Sequence, residues 1–585
     1  MRWLAGFWAT LVMAACRNEE TDATPATTSD TGATEGVSTA TTSDPSTTDG
    51  STTDVPATTQ TNGTTEGSSG PACPDDAPPA APSIVEPADG RIDVIGDDLV
   101  ITASAFADPD PGDALGTMAV EIWTIDDGEP SERVWSAQVA GTSTVTLADG
   151  SFDTDTALGE WTDYLIRARY SDDHAECSAY GSWSDFLGFR TDDGSTALFD
   201  ESVVRDFYLD IAPQSWNAID AQAYPPGCVP FQREYYTGTL RYEDQVFEGV
   251  GIKTKGGCGS SRGLDGKASF KVNLEWDDPD APGCPEERRL LGEKSFTFNN
   301  GVQDSTASHE RLGYALFREL GIPAPRAASV RIFVNDELWG LYTHVEGIDR
   351  RFLSRWFASK AGMLYEGTYW CDLIAQNIGA GNDDDSYCLT REFSPDACTA
   401  ADPDGDPLDY SRLHELIDQV ETLANDDFYP AIEDTVDWDR FLTTWAIESV
   451  LAHWDNYGFH IQNNYRVYHD PTSAHWTLIS TGIDQTFGDD LDPFDVGGVL
   501  AVQCLADTAC EAAYAARLAE VTDAFASFGY EERADAIFDQ LSPFVQDDPR
   551  REYSYADFVN QHDTLGWFIE QRPARMAEWL AAYGF

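Results

Sequence analysis

The sequence has few basic residues for its length. Among 585 residues there are 36 Lys and Arg against 102 Asp and Glu, which gives a formal net charge of −66 at pH 7. A surface with this balance repels the phosphates of nucleic acids and anionic lipid head groups over most of its area. We therefore expect no nucleic-acid partner, and acidity alone predicts only a well-solvated surface.

Long hydrophobic runs are scarce as well. The apolar run of residues 1–15 contains Arg2, is too short to cross a bilayer, and ends in small residues directly before Cys16. It predicts an export signal at residues 1–16 and resembles a bacterial lipoprotein cleavage site, which implies lipidation of Cys16. Because no second run of about 18 apolar residues follows, we expect membrane contact only through that lipid, at the cell envelope or cell surface.

Apolar residues are also missing from residues 17–72. This stretch consists almost wholly of Thr, Ser, Asp, Gly, Glu, Ala and Pro and contains no aromatic residue. Such a composition cannot bury enough surface to offset the entropy of the chain. We therefore predict a flexible tether between the lipid and the first folded domain.

No pair of cysteines has the C-x-x-C spacing, so a zinc site or a redox motif has little support. Cys16 aside, ten cysteines remain, and an even number in an exported chain predicts disulfides. Closeness in sequence favours Cys504 with Cys510 and Cys371 with either Cys388 or Cys398. We expect Cys73 and Cys177 to join across the first folded domain.

Short alternating segments occupy residues 73–193. They predict a β-sandwich with strands over Leu99–Phe106, Met118–Ile125, Ser143–Leu147, Tyr164–Tyr170 and Phe186–Thr191. The pieces Y-L-I-R-A-R-Y and Y-G-S-W-S-D-F resemble the last two strands of a fibronectin type III domain. Two acidic stretches, A-D-P-D-P-G-D and D-P-D-G-D at 402–406, suggest weak Ca²⁺ binding, although we interpret the first as an ordinary polar turn.

A locally basic, glycine-rich stretch covers residues 249–274. Glycines let backbone amides approach phosphates, and kinases cover ATP with such a loop and anchor it with a strand lysine. On the predicted strand Ser269–Leu274, alternation places Lys271 opposite the core side chains, so Lys271 is our first candidate for that lysine and Lys267 the second. The candidate nucleotide-binding residues of this stretch are Lys253, Lys255, Gly256, Gly257, Arg262, Lys267 and Lys271.

An amphipathic helix is predicted over residues 305–320, ended by Gly321 and Pro323. Glu310 lies in its first turn. In a kinase this glutamate pairs with the strand lysine, and the alternative is an acidic residue favoured by the helix dipole. Two predicted strands then lead to Glu346, which we place at a nucleotide-binding hinge between two lobes.

The stretch from Trp454 to Gly488 holds the candidate catalytic residues. Asp455 follows a buried helix, and a predicted β-hairpin, Tyr465–Tyr468 with Trp476–Ser480, lies between Asn464 and Asp484. Because the outer ends of a hairpin lie together, these three polar side chains should converge. In phosphoryl transfer one Asp accepts the hydroxyl proton, while an Asn and a second Asp hold the metal ions. The alternative is that each residue only caps a helix or starts a turn.

Several motifs occur in a specific order: S-F-K-V-N-L, F-R-E-L-G-I-P-A-P-R, L-W-G-L-Y-T-H-V-E-G-I-D-R-R-F-L, N-N-Y-R-V-Y and I-D-Q-T-F-G. Together they resemble the spore-coat protein H (CotH) kinase family. The resemblance implies a multidomain chain in which the fibronectin type III-like β-sandwich precedes an α+β bilobal, atypical protein-kinase-like domain at 197–585. Its N-lobe would span about 197–346 and its C-lobe about 347–585.

The resemblance also implies an activity. A secreted kinase would transfer the ATP γ-phosphoryl group to hydroxyls of a protein substrate that the sequence does not identify. Asp455 would be the catalytic base, and Asp484 with Asn464 would bind Mg²⁺ or Mn²⁺. One departure, T-G-I-D in place of the family's usual W-D-x-D, puts Gly482 where an acid is common. That departure, and the scarcity of ATP outside cells, favour the alternative of an inactive coat- or adhesion-type surface protein with a kinase-like fold. The presence of Asp455, Asn464, Asp484 and Lys271 together favours the kinase, which we take as the first hypothesis.

Overall fold

The computed structural model describes residues 77–96, 99–126, 128–154, 157–173, 180–225, 231–276, 288–360, 362–377, 388–391, 410–423, 428–488 and 490–585. Some of the predictions lie outside the described residues: the export signal, the lipidation of Cys16, the tether at 17–72, the Cys73–Cys177 pair and the acidic turn at 402–406. Within the described part of the chain, no helix is both long and apolar enough to cross a membrane.

Two β-sheets pack around one core in residues 84–192. One sheet has the strand order β1-β3-β6 and the other β2-β9-β8-β4-β5-β7. The strands are β1 (Ile84–Glu86), β2 (Arg91–Ile95), β3 (Val100–Ala103), β4 (Leu115–Asp126), β5 (Glu129–Ala140), β6 (Thr144–Thr146), β7 (Gly150–Phe152), β8 (Asp163–Asp172) and β9 (Leu187–Asp192). Ile101 from the first sheet and Ile122, Trp135 and Ile166 from the second are fully buried in the shared core. This is a β-sandwich, and its fibronectin type III identity stays a prediction.

The Asp-rich turn of the sandwich carries backbone hydrogen bonds. Asp108 accepts from the N–H of Asp110, and Asp110 accepts from the N–H of Ala77, each at 2.7 Å. Asp108, Asp110 and Asp113 also bring one carboxylate oxygen each within 4.8 Å of one another. Exposed acidic groups at this spacing are common without an ion, so our interpretation as a polar turn is kept.

A closed seven-stranded barrel follows, in the order β10-β11-β12-β13-β14-β16-β15. Its strands are β10 (Arg205–Asp210), β11 (Tyr236–Tyr242), β12 (Gln245–Lys255), β13 (Ser269–Asn273), β14 (Ser295–Asn299), β15 (Ala327–Val334) and β16 (Glu337–Val345), and its helices are α1 (Pro213–Asp220) and α2 (His309–Glu319). Alternation along β12 and β13 buries Ile252, Phe270 and Val272 inside the barrel. Because Lys253 pairs with Lys271 across these strands, both lysines stand on the outer face.

The second lobe is mainly helical. Its helices are α3 (Arg350–Trp356), α4 (Ser411–Thr422), α5 (Phe428–Ala431), α6 (Trp438–Val450), α7 (Val499–Ala506), α8 (Thr508–Ser527), α9 (Tyr530–Asp547) and α10 (Tyr555–Tyr583), and β17 (Met363–Gly367), β18 (Leu389–Arg391), β19 (Tyr465–His469) and β20 (Trp476–Ser480) form a sheet in the order β18-β17-β19-β20. The predicted Cys504–Cys510 disulfide is confirmed, and Cys371 pairs with Cys388.

Helix α2 joins the two lobes. Its buried residues Leu312, Leu316 and Phe317 belong to the core of the second lobe rather than to the barrel core. At Gly313 the helix lies so close to the chain after β20 that an added Cβ would be 2.5 Å from Ile483 Cδ1. This packing brings the first turn of α2, with Glu310, toward the turn that carries Asp484.

Inside the barrel, His344 is completely buried among aromatic rings. Phe199 stacks on it at 4.7 Å between centroids, Phe296 and Phe298 lie within 5.4 Å, and neither ring nitrogen has a hydrogen-bond partner. Burial lowers the pKa of His344 to about 3, so the imidazole is neutral in the fold.

This histidine predicts a pH-dependent stability. Below its unfolded pKa of about 6.5 only the unfolded chain binds the proton, so His344 costs about 1.4 kcal/mol of stability per pH unit as the pH falls from 6.5 toward 3. We expect His344→Phe to remove that loss. Urea denaturation at pH 7, 6 and 5 should show the stability of the variant relative to the parent rising as the pH falls. A difference that stays constant with pH would contradict a buried neutral histidine.

Candidate active site

Asp455 lies in the loop between α6 and β19 and is 2% exposed. Its carboxylate accepts hydrogen bonds from two neighbouring amides: Asn463 Nδ2 lies 3.0 and 3.1 Å from its two oxygens, and Asn464 Nδ2 lies 3.0 Å from Oδ2. Asn464 Nδ2 also lies 2.9 Å from the Asp455 carbonyl. Burial raises the pKa of Asp455, and the two amides oppose that shift because they stabilise the ionised form. The carboxylate is thus held in one orientation.

Asp484 lies in a short 3-10 turn, Ile483–Gln485, directly after β20. Burial raises its pKa to about 6; Lys255 lowers it, whereas Asp455 raises it, so both groups lie within electrostatic reach. His309 Nδ1 lies 2.9 Å from the Asp484 carbonyl and ties the turn to the start of α2. Asn464 connects the Asp484 turn to Asp455: its Nδ2 lies 3.0 Å from Asp455 Oδ2 and 3.4 Å from the Gly482 carbonyl, and its own carbonyl accepts the Thr481 N–H at 2.8 Å. The hairpin therefore places Asp455 and Asp484 on the same side of the molecule.

Glu310 is connected to Lys255 through Asn299. Lys255 Nζ donates to Asn299 Oδ1, and Asn299 Nδ2 donates to Glu310 Oε1 at 2.5 Å. Burial, aided by Asp484, raises the pKa of Glu310 to about 8, while Lys255 opposes the shift. One ammonium group from the barrel thus faces two carboxylates, one from α2 and one from the Asp484 turn.

Two further lysines stand beside Lys255 on the outer face of the barrel. Lys253 and Lys271 are cross-strand partners, and burial together with the charge of Lys271 lowers the pKa of Lys253 to about 8. Lys253 Nζ donates to the Arg233 carbonyl at 3.1 Å and lies 4.3 Å from the centre of the Tyr235 ring. Three cations gathered on one face of an acidic chain favour a ligand with several negative charges.

A protein-family model described as CotH kinase protein matches residues 252–576, which is more than half of the chain. The chain belongs to the CotH kinase family. That match confirms the family that the sequence motifs suggested, and it covers the lysine face, α2, Asp455 and Asp484.

Relatives of this CotH family member include a spore-coat protein and fungal invasins. Inner spore coat protein H of Bacillus subtilis (strain 168) is 20% identical over 311 residues, which cover 51% of this chain and 81% of that protein. Invasin CotH3 of Rhizopus delemar is 29% identical over 202 residues, covering 33% of this chain and 31% of the invasin, and Invasin CotH7 is 26% identical over 215 residues, covering 36% and 33%. The chain therefore spans about a third of the length of these invasins.

Among solved structures, the crystal structure of a Helicobacter pylori proinflammatory kinase, CtkA, matches 56% of this chain and 97% of that chain. The sequence identity is 9% and the TM-score is 0.21. We draw no conclusion about this CotH protein from a similarity at that level.

The geometry corrects the predicted partner of Glu310. Strand alternation puts Lys271 on the correct face, but it does not say which lysine of that face lies nearest α2. Since β12 ends at Lys255, opposite Ser269, it is Lys255 that approaches Asn299 and Glu310. The lysine that is linked to Glu310 through Asn299 therefore lies at the end of β12 rather than on β13.

Lys267, our second candidate for the phosphate lysine, is wrong. It is 2% exposed, and its Nζ lies 2.6 Å from Asp548 Oδ2, so it forms a buried ion pair with a segment beyond α9. Arg262 is likewise engaged, with its guanidinium 2.5 and 2.7 Å from the two carboxylate oxygens of Glu552. Neither cation points its charge toward the lysine face.

Glu346 does not form a nucleotide-binding hinge. It is 5% exposed and is bound by Arg326 and Arg355, which hold its pKa well below the usual range despite burial. Trp161 from the sandwich lies over both guanidinium groups, at 5.3 and 5.2 Å. Glu346 is therefore part of a structural ion cluster where the sandwich meets the barrel.

Gly256 and Gly257 begin the loop after Lys255, as predicted. Gly256 has φ +103°, and an added Cβ would lie 3.1 Å from the Ser261 backbone, so the position requires glycine. The Gly256 carbonyl accepts a hydrogen bond from Arg233 at 2.9 Å.

Two site residues were missed by sequence reasoning. Asn463 donates to both carboxylate oxygens of Asp455, and Asn299 links Lys255 to Glu310. Each belongs to an Asn-Asn pair, at 463–464 and 299–300. Because Asn is common in turns, only its position beside a predicted catalytic loop or helix start could have indicated a role.

Replacing Lys255 tests the corrected assignment. We expect Lys255→Met to reduce the affinity for ATP at least tenfold, because the substitution removes the ammonium group that donates to Asn299 beside Glu310. Lys294→Met, which removes a half-exposed lysine paired with Glu275 at 3.4 Å, should instead change stability slightly and leave the ATP affinity unchanged. Isothermal titration calorimetry on both variants, with melting temperatures measured in parallel, separates the two effects. Equal loss of affinity in both would contradict the assignment.

Proposed function

We propose that this CotH family member is a metal-dependent phosphotransferase that moves the ATP γ-phosphoryl group to hydroxyls of a protein substrate. The observation that carries the proposal is a set of hydrogen bonds that gathers four groups between the lysine face and the second lobe. Asn299 links Lys255 to Glu310, His309 links the start of α2 to Asp484, and Asn464 links Asp455 to the turn that holds Asp484. Kinases use a lysine–glutamate pair, a metal-binding aspartate and a separate aspartate that accepts the hydroxyl proton. The four groups lie on different elements far apart in sequence. Residues that only cap helices act locally and have no reason to gather in this way.

The donor set fits a divalent cation with a nucleotide. Burial, aided by neighbouring carboxylates, raises the pKa values of Asp484 and Glu310, and a cation bound beside these carboxylates would favour their ionised forms. Asp484 and the amide oxygen of Asn464 are the residues that would hold Mg²⁺ or Mn²⁺, both of which prefer oxygen ligands. When bound, the metal would neutralise charge on the phosphates.

The chain's own residues have the following proposed roles. Lys255, with Lys253 and Lys271 beside it, binds the phosphates. Asp455, oriented by Asn463 and Asn464, accepts the proton of the acceptor hydroxyl while the oxygen of that hydroxyl attacks the γ-phosphorus. The bond between the γ-phosphorus and the β,γ-bridging oxygen breaks, and ADP leaves. The products are thus a phosphorylated hydroxyl and ADP.

Gly482 supports a second candidate, a surface protein that keeps the fold without turnover. A Cβ at this position would overlap the amide of Asn464, so an acidic residue cannot enter while Asn464 holds Asp455. A site with one carboxylate fewer binds metal less strongly. The names of the relatives, coat protein and invasin, support a surface location for this chain, with Cys16 as the proposed lipid anchor.

The test is transfer of labelled γ-phosphate from ATP with Mn²⁺ to dephosphorylated casein and to the chain itself. We expect incorporation by the parent protein and a loss of about 10²–10⁴-fold in Asp455→Asn, because that substitution removes the proton acceptor. Asp495→Asn, at an exposed aspartate of the same lobe, serves as the control. ATP binding without incorporation in the parent would favour the inactive surface protein.

A further inference from the structure

A short segment between α9 and α10 contacts the glycine-rich loop. We call residues 548–552 the clasp and residues 256–267 the loop. Glu552 forms a bidentate ion pair with Arg262, at 2.5 and 2.7 Å, and Asp548 pairs with Lys267 at 2.6 Å. Arg550 donates to the carbonyl of Gly266 at 2.8 Å. Three contacts thus join the clasp to the second half of the loop, residues 262–267.

The clasp is itself fixed to the barrel wall. Asp548 Oδ2 accepts the N–H of Leu341 at 2.9 Å, inside β16. Gly340 has φ +136°, and a Cβ there would overlap the Asp548 carboxylate. A glycine at position 340 therefore leaves the space that the Asp548 side chain occupies. The guanidinium of Arg550 lies 4.0 Å from the centre of the Trp339 ring. The clasp therefore has a defined position against which the loop is held.

Other contacts hold the loop to residues outside the clasp. Arg233 donates to the Gly256 carbonyl at 2.9 Å and to Ser261 Oγ at 2.8 Å, and Cys258 is disulfide-bonded. Asn300 Nδ2 donates to the carbonyls of Ser260 and Lys267 at 3.0 and 2.7 Å. Arg262 lies in the middle of the loop, and its charge is engaged by Glu552.

We propose that the clasp positions the loop over the nucleotide phosphates, with Glu552 and Asp548 as positioning residues. This inference rests on the proposed function, since it assumes that the loop after Lys255 covers the phosphates. Backbone amides bind phosphate well only when the loop is already held in its binding conformation. Helices α9 and α10, which carry none of the proposed catalytic residues, thereby influence the affinity for the phosphates of the nucleotide.

The test uses charge reversal at the exposed end of the clasp. Arg262→Glu and Glu552→Arg should each weaken ATP binding about fivefold and leave adenosine binding unchanged, because adenosine lacks the phosphates that the loop covers. The double variant restores the ion pair with its charges exchanged and should return the ATP affinity to within about twofold of the parent. Single variants with parental ATP affinity, or a double variant no better than the weaker single, would overturn the proposal.

Arg331→Glu is the matched control. Arg331 forms a bidentate pair with Asp206 elsewhere on the barrel, and the exposure of that pair, 32% and 29%, is close to the 30% and 37% of Arg262 and Glu552. We expect it to leave ATP affinity unchanged. An equal loss of affinity in this control would assign the effect to general destabilisation and overturn the proposal.

Hydrogen exchange separates this inference from the proposed function. Amides of the loop should exchange faster in each single variant than in the parent and return to parental rates in the double variant, with or without nucleotide. Unchanged loop exchange in the single variants overturns the positioning role. If loop exchange responds as expected but the parent protein binds no ATP, the proposed function fails while the clasp's hold on the loop stands.

Discussion

Asp484→Asn is expected to abolish the stabilisation of the protein by ATP with Mn²⁺. A ligand at 100 times its Kd stabilises the folded state by about 2.7 kcal/mol, which is a measurable rise in melting temperature. Asparagine keeps the shape of the side chain but removes the charge that would hold the cation beside Lys255. The variant should therefore show no shift with ATP and Mn²⁺.

The comparison with Asp495→Asn gives this prediction its control. Asp495 is an exposed aspartate that pairs with His460 and has no contact with the lysine face. It should keep the full shift in melting temperature. If Asp484→Asn also kept the full shift, Asp484 would not be a metal ligand and the proposed site would be wrong.

Asp548→Ala should cause the largest loss of stability, about 3–5 kcal/mol, because it leaves Lys267 buried without a counter-charge. Both side chains are 2% exposed, and Asp548 also accepts the Leu341 N–H. The loss should appear as a lower midpoint in urea denaturation. Removing both charges in Lys267→Met with Asp548→Ala should recover part of it, because no unpaired charge then remains.

The residue next to Asp548 supplies the control. Asp547 is exposed at the end of α9, so Asp547→Ala should change stability by no more than about 0.5 kcal/mol. A loss below about 1 kcal/mol in Asp548→Ala would mean that the ion pair contributes little and that Lys267 finds water or another partner.

Local periodicity was sufficient to predict most of the elements around the site. The hairpin before Asp484 spans Tyr465–His469 and Trp476–Ser480, within one residue of the predicted bounds, because its alternation and its Asp-Pro turn agree. Helix α2, His309–Glu319, was predicted from its amphipathic spacing and from Gly321 and Pro323 after it. Strand β5, Glu129–Ala140, was missed, since its charged residues and proline do not show the alternation of a buried strand.

The partners of the charged groups could not be predicted in the same way. Lys253, Lys255 and Lys271 share one face by alternation, but only the register between β12 and β13 decides which one lies nearest Glu310. Lys267 and Asp548 are 281 residues apart in sequence, and nothing local indicates that contact. A lysine beside glycines therefore suggested a phosphate site where the fold has a buried ion pair.

The most direct measurement is the position of Mn²⁺ in crystals grown with Mn²⁺ and a non-hydrolysable ATP analogue, located by its anomalous scattering. The central claim is that Lys255, Glu310, Asp484 and Asp455 surround one nucleotide–metal site. We predict an anomalous peak within about 2.5 Å of an Asp484 carboxylate oxygen, with the phosphates of the analogue against Lys255. A peak elsewhere on the acidic surface, with the cleft between the lysine face and Asp455 empty, would contradict the account.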